Sequence, residues 1–382
     1  IDHFRNQLTT QSSAEDKRAI EELIHGIEKK QLPHLLCTTN MLLHGIDVPS
    51  QIEHRNTLGI GWNEWNANDK VDCIITNPPF GGYEDDGVGS DYPADLRTRE
   101  TADMFMALII KKLLKENGRA AVVLPDGFLF GDGIKGTLKK LLLRDCKLHT
   151  IIRLPKGVFA PYTTIKTNLL FFTKGATVDD GTEHFHTDTI WFYEHSYPAG
   201  YKSYSKTKPI RLEEFKPEQE WWGDESNDFA DRVENEFAWK VDFKTKREQA
   251  EAAAKPHWQR AELLNNQAAA LEGEAGDLRK SLVGSTDAAY REKIDAQITE
   301  LRAKVEPLRL QARDAQAAGD RIYWPIFNLD IKNPNAPEEE THDPNVLLEK
   351  YKKLLGEIEE TENQLKSELA AALAHHFVGE DA

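Results

Sequence analysis

Along the first 175 residues, apolar positions alternate between helical spacing and short uninterrupted runs, the order expected of a parallel sheet covered by helices. Ile1, Phe4 and Leu8 have helical spacing with no capping residue before them, so the domain is expected to start upstream of Ile1. A strand over residues 23–27 closes on Glu28. A helix follows from about Pro33 to His44, with Gly45 where a left-handed stop is wanted. Brief and buried strands are predicted at 52–55 and 71–76, and the second runs directly into Asn77-Pro78-Pro79-Phe80. After a Gly/Asp-rich loop, Met104, Leu108, Ile109 and Leu113 give a helix over 101–116, ended by Asn117-Gly118. A buried strand at 120–124 leads through Pro125-Asp126-Gly127 to a basic helix at 134–144. Segments 148–154 and 166–173 read as an antiparallel pair at the sheet edge, joined by the loop that holds Phe159.

The pattern changes beyond residue 175. A strand is expected at 189–193, followed by a Tyr/Lys/Ser-rich loop and an acidic, Trp-containing stretch to which the sequence assigns no role. From about Lys246, Leu264, Leu271 and Leu278 repeat at seven, while Ile294, Ile298, Leu301, Val305 and Leu308 step by four and three. These two runs, separated by Gly284-Ser285-Thr286, make a helical hairpin. A last helix, from about Pro344 to His375, puts Tyr351, Leu355, Ile358, Leu365 and Leu369 on one stripe, suited equally to packing on its own domain or docking on another subunit. The division is therefore 1–175 (α/β domain), 176–245 (β/loop extension) and 246–382 (helical region).

Composition narrows this picture. The chain of 382 residues has no apolar run long enough for a membrane span and no secretory signal at its start, which places it in the cytoplasm, away from membranes. Cys37, Cys73 and Cys146 are widely spaced, which argues against a disulfide framework or a metal site and makes each a small buried hydrophobe. The net charge of −16 opposes nucleic-acid binding, yet Lys111 to Lys174 holds thirteen Lys/Arg against four Asp/Glu. One basic face on an acidic body is expected; the alternative is two ordinary solvated helix sides.

The chemistry lies in Asn77-Pro78-Pro79-Phe80. The lone pair of an adenine amino group is delocalised into its ring, so the nitrogen is a poor nucleophile. Two fixed hydrogen-bond acceptors on its two N–H bonds draw it toward a tetrahedral geometry and stabilise the charge that develops as it is alkylated. The Asn77 side-chain oxygen and the Pro78 carbonyl can be those acceptors, with Pro79 stiffening the turn and Phe80 giving a flat face for an extruded base. The position at a strand's carboxyl end is where ligands gather in open sheets.

Around this motif, Asn40 to Gly45, Asp72 to Gly82, Gly118 to Phe130 and Leu154 to Phe172 resemble, in order, the modification subunit of type I restriction-modification systems, an N6-adenine DNA methyltransferase family. Lys332-Asn333-Pro334-Asn335 and the last helix extend the similarity. The resemblance implies a Rossmann-like α/β methyltransferase sheet, mixed, with an antiparallel edge strand, plus a C-terminal helical region for subunit docking. It implies S-adenosylmethionine as methyl donor and adenine N6 in DNA as acceptor. The partners implied are a sequence-reading specificity subunit and a nucleolytic, translocating restriction subunit. Asn77, Pro78, Pro79 and Phe80 match the catalytic tetrad, and Phe159 the aromatic that touches the flipped base. Glu28 matches the acid that holds the cofactor ribose, and Asn56 stands where an Asp usually contacts the cofactor adenine. Asp103 and Phe105 lie in the helix bordering the adenosyl pocket. The family's glycine-rich cofactor turn after its first strand is not in this sequence, so the expectation is a C-terminal fragment without that strand, binding the cofactor weakly or not at all. Two other readings stay open: methylation of a protein glutamine, which uses a similar Asn-Pro-Pro-aromatic arrangement, and a non-catalytic assembly module.

Overall fold

The computed structural model describes residues 1–178, 180–283, 287–336 and 344–377. Two short helices, α1 (Asp2–Arg5) and α2 (Ala14–Glu22), precede β1 (Gly26–Glu28), α3 (Gln31–Leu43) and β2 (Ile52–His54). Leu8 lies past the end of α1, and α2, which begins on a Ser13 capping box, has no counterpart in the apolar spacing. Then come β3 (Val71–Thr76), α4 (Thr101–Leu108), β4 (Leu114–Pro125), α5 (Asp126–Phe130), α6 (Ile134–Asp145), β5 (Cys146–Arg153), β6 (Thr167–Lys174), β7 (Thr189–Glu194), α7 (Lys216–Trp221) and β8 (Ala238–Asp242). The helix expected to reach residue 116 ends earlier. Ile109–Leu113 form a π turn, Leu114 already pairs with Val71, and Asn117 takes a positive φ of 61° at the bulge.

Six strands form one mixed sheet in the order β3-β4-β6-β5-β7-β8, and β1 and β2 pair in parallel as a separate ribbon. Strands β3, β4, β5 and β7 run the same way, so their carboxyl ends share one edge of the sheet. Two expectations are corrected here. The β5/β6 pair is antiparallel but lies in the middle of the sheet, because β7 adds on the far side of β5; the antiparallel edge strand is β8. Strand β3 is present but not buried. It is itself an edge strand, with Cys73 exposed and Ile75 83% exposed. Cys37 is exposed as well, and of the three cysteines only Cys146 is buried. Because β7 and β8 continue the sheet begun by β3 to β6, packing places no boundary at residue 175, and the chain is compact from Ile1 to Pro334.

The main core lies between the sheet and helices α4 and α6. Strand β5 is buried almost throughout, as a strand covered on both faces should be. Helices α8 (Phe243–Ser281) and α9 (Ala288–Tyr323) form the expected hairpin, though the residues expected at its turn, 284–286, lie outside the described residues. Its seam is made less of leucine than anticipated. Ala254, Ala261, Ala268 and Ala275 recur at seven and are buried, while Leu264, Leu271 and Leu278 flank them half-buried. Alanine lets the helix axes approach closely. Near the base, Gly319 takes this furthest, since a Cβ there would lie 2.6 Å from Trp258 Nε1. Helix α10 (Pro344–Phe377) belongs to a second unit, Asn335 to Ala382, and exposes its apolar stripe, including Tyr351, Ile358 and Leu365.

One buried histidine couples the core to pH. His149 in β5 stacks on Phe229 at 4.6 Å and places Nδ1 2.7 Å from Thr150 Oγ1. Burial first, and the nearby Arg232 guanidinium second, push its pKa down to about 3. The fold thus holds a neutral imidazole where the unfolded chain takes up a proton below about pH 6.5. Stability is complete above that pH and is lost as pH falls from about 6.5 toward 3, by up to about 1.4 kcal/mol per pH unit. Thermal melts between pH 7 and 4 should therefore show a steeper fall in Tm for the wild type than for His149→Gln; parallel declines would rule this histidine out as the cause.

Candidate active site

Strand β3 ends at Thr76, and the next four residues leave the sheet at its carboxyl edge. Asn77 is exposed and Pro78 buried. Among the described residues, the Asn77 amide makes no hydrogen bond and the Pro78 carbonyl accepts none. What holds the turn is its other end. Thr101, buried at the start of α4, shares its hydroxyl between the carbonyls of Pro79 (2.8 Å) and Gly82 (3.2 Å), and its N–H donates to the Gly82 carbonyl at 3.0 Å. The turn is thus fixed through the two carbonyls that are not needed, leaving the Asn77 and Pro78 oxygens free.

Phe80 meets Phe159 edge to face, with ring centroids 6.0 Å apart and an interplanar angle of 80°. The Phe159 loop follows β5, three ladder steps from β3, so it reaches back about 14 Å along the sheet edge to do this. The structure therefore brings together the tetrad and the distant aromatic that were matched from sequence. Phe80 follows Asn77 by three residues in the same turn, so an aromatic corner and a free amide oxygen belong to one short segment, a combination able to grip a planar heterocycle while accepting from its amine.

The residues matched to the cofactor are distributed differently. Glu28 closes β1, half-buried, with Oε1 accepting from the Lys30 N–H at 2.7 Å and its second oxygen uncommitted. Asn56 follows β2 and is committed at both ends: its oxygen caps the Leu58 N–H at 3.2 Å and its Nδ2 donates to Glu84 at 3.0 Å. Asp103 is buried and accepts from Lys135 Nζ at 2.6 Å, and Phe105 packs against the main core. Of the four, Glu28 and Asp103 each keep one carboxylate oxygen without a partner, half-buried in Glu28 and buried in Asp103. The present residues supply part of one wall and do not by themselves form a cofactor cradle.

Sequence reading missed three residues that support this site. Thr101 is one. Glu84, buried in the Gly/Asp-rich loop, collects Lys29 from the end of β1 and Asn56 from the end of β2, and so ties the two-stranded ribbon to the motif loop. Lys135 of α6 lies between Glu100 and Asp103 at the start of α4. Burial works against its ammonium, but the hydrogen bonds to Asp103 and Glu100 outweigh that and raise its pKa. A carboxylate in a polar loop and a lysine on a basic helix carry no periodic signal, so only the contacts reveal them.

The expected basic face is also corrected. Of the thirteen cations between Lys111 and Lys174, nine form ion pairs with carboxylates. Lys112 sits over Trp62, and Lys139 is buried on the carbonyls of Leu129 and Gly131. That leaves Lys156 and Lys166, both in loops at the carboxyl edge.

Residues 5–262 match the family model described as N-6 DNA methylase. The chain is 44% identical over 374 residues to the type I restriction enzyme EcoEI methylase subunit of Escherichia coli, covering 98% of this chain and 58% of that one. It is 31% identical over 221 residues to the EcoKI methylase subunit of E. coli K12, covering 57% of this chain and 40% of the relative. Among solved structures, a modification subunit assigned to a type I restriction enzyme of Vibrio vulnificus superposes with a TM-score of 0.55 at 43% identity, over 64% of this chain and 48% of the other. A chain from a type I restriction-modification system solved for its complex assembly superposes with a TM-score of 0.59 at 25% identity, over 96% and 59%. The chain thus spans somewhat over half the length of the EcoEI subunit.

If Lys135 secures the start of α4, Lys135→Met should leave the buried Asp103 carboxylate unpaired and cost about 3–5 kcal/mol. Urea unfolding measures this directly. A loss below about 1 kcal/mol would mean that the pair is not a structural tie.

Proposed function

The chain belongs to the N-6 DNA methylase family, and from that premise we propose that it carries the target side of an adenine-specific DNA methyltransferase working within a type I restriction-modification complex. The observation that carries this reading is the pairing of two unengaged acceptors, on Asn77 and Pro78, with the Phe80/Phe159 corner. The extruded adenine packs against this aromatic corner, a contact worth about 1–3 kcal/mol. Its amine donates one N–H to Asn77 Oδ1 and the other to the Pro78 carbonyl. As positive charge grows on that nitrogen, both oxygens hold it more strongly than they held the neutral amine, which lowers the barrier. The surplus proton leaves to solvent after transfer.

The methyl donor is S-adenosylmethionine, which supplies an electrophilic carbon on sulfur. Glu28 is this chain's best placed contact to its ribose. Among the described residues no helix is long and apolar enough to cross a membrane. A DNA-modifying role places the protein in the cytoplasm.

The test is mass spectrometry of plasmid DNA from cells expressing the intact gene with its partners. Wild type should yield N6-methyladenine. Asn77→Ala should lower kcat by about 10²–10³, the loss typical of removing one preorganised partner of a developing charge. Phe80→Ala should act mainly on KM. Unmodified DNA under active expression, or indifference to both substitutions, would leave only protein methylation or scaffolding.

For the partners, the exposed apolar stripe of α10 supports docking on the specificity subunit. Removing residues 344–382 should abolish co-purification with that subunit while leaving the main unit folded. Retained co-purification would exclude this helix as the dock.

A further inference from the structure

We infer that the loop after β7, residues 196–211, joins Lys156 and Lys166 in binding the phosphate backbone of duplex DNA flanking the target base. This deepens the methyltransferase reading and rests on it for the identity of the duplex. It gives a role to the Tyr/Lys/Ser-rich stretch for which sequence alone offered none.

The first argument is the contrast in charge. Across the rest of the α/β unit positive charge is mostly spent on neighbouring carboxylates, whereas Lys156, Lys166, Lys202 and Lys206 form no ion pair among the described residues. Lys156, Lys166 and Lys202 line one cleft of about 460 Å³ at the carboxyl edge of the sheet. Two other charged groups in its wall are already engaged: Arg153 by Asp330 at 2.5 Å, and Glu194 by Asn333 at 3.4 Å. Asn333 is neutral, so Glu194 keeps its charge, but the three unpaired lysines outnumber it and leave the cleft net positive.

The second argument is that the loop is built and fastened to the target-base loop. Tyr197 Oη donates to the Lys156 carbonyl at 2.8 Å. Gly157 has φ +84°, and a Cβ there would lie 2.8 Å from the Tyr204 carbonyl, so the two loops touch through backbone. Tyr204 in turn donates to Glu214 and lies 3.3 Å from His195 Nε2, while His195 Nδ1 is 2.5 Å from Glu218 in a buried pair. A loop anchored by a buried polar chain, two residues from Phe159, presents its lysines at a set position instead of trailing them.

Geometry and side-chain type select the ligand. The tip of β7 is four ladder steps from the tip of β3, about 19 Å, which corresponds to roughly five to six base pairs of duplex at 3.4 Å each. A duplex delivering its base to Phe80 runs past these lysines. Lysine is a compact point charge without arginine's bidentate fork, which suits contacts that position the backbone without reading sequence.

The test uses the intact protein in its assembled complex, with a 30-base-pair duplex of arbitrary sequence as the probe, and compares wild type with the triple variant Lys156→Gln/Lys166→Gln/Lys202→Gln. The slope of log K against log salt should shrink by about 0.9 per lysine, and affinity at 0.1 M salt should fall by roughly eightfold for each. Lys202→Glu alone serves if the triple variant unfolds, and should lower affinity further than Lys202→Gln. The control is Lys140→Gln, a cation paired with Glu183 away from the cleft, which should leave the slope unchanged. An unchanged slope in the triple variant, with N6-methyladenine still formed, overturns this inference and leaves the function intact. Equal loss for single-stranded RNA or for polyglutamate also overturns it, since the patch would then not be a duplex site. A wild type that binds the duplex with the expected lysine dependence but never methylates supports the patch and sinks the enzymatic reading.

Discussion

The site depends on one half-buried ammonium. Lys135 reaches from α6 to Glu100 and Asp103 and so fixes where α4 begins. The position of α4 sets the position of Thr101, and Thr101 holds the Pro79 and Gly82 carbonyls. Each link is short and directional, and the chain of links runs from the core outward to a turn that is half in solvent. Two prolines limit the turn's own freedom; the rest of its rigidity is borrowed from this cation. The buried carboxylate it meets, Asp103, is costly to keep charged, and the pair sets geometric precision at the sheet edge.

Much of this was legible in the residues. Val71 to Thr76 followed by Asn-Pro-Pro-Phe fixed a strand and the turn at its tip, and the heptad spacing gave the hairpin. The family resemblance, not local pattern, matched Phe159 to the aromatic beside the motif, although 79 positions separate it from Phe80. The sheet order was harder. Nothing in the β5 and β6 segments says that β7 will add on the outer side of β5, because pairing is decided by strands elsewhere in the chain. Burial of β3 was misjudged for a related reason: its apolar composition suits a covered strand, yet its free side has no neighbour among the described residues. The basic window misled most. Composition counts cations, whereas a site needs cations without partners, and only coordinates distinguish the two.

The arrangement separates two tasks. The motif carries the rings and the unengaged oxygens, while the β1–β2 ribbon is held to the motif loop by Glu84 through Lys29 and Asn56. Glu84 is a buried carboxylate satisfied by both, so the ribbon cannot shift without exposing an uncompensated charge. The ribbon and the motif loop are thereby kept in register although, among the described residues, no strand ladder connects their sheets.

The alanine seam of the hairpin has a mechanical meaning. Its base, near Ala254 and Trp258, is sewn into the core, whereas Ala275, Ile294 and Ile298 form a separate apolar cluster toward the tip. Between Trp258 and Ser281 the paired helices extend about 35 Å at 1.5 Å per residue. Two helices this tightly apposed bend far less than one. The hairpin is a strut, and a body gripping its far end is kept at a fixed stand-off of about 35 Å, so tilting that body levers on the core of the sheet.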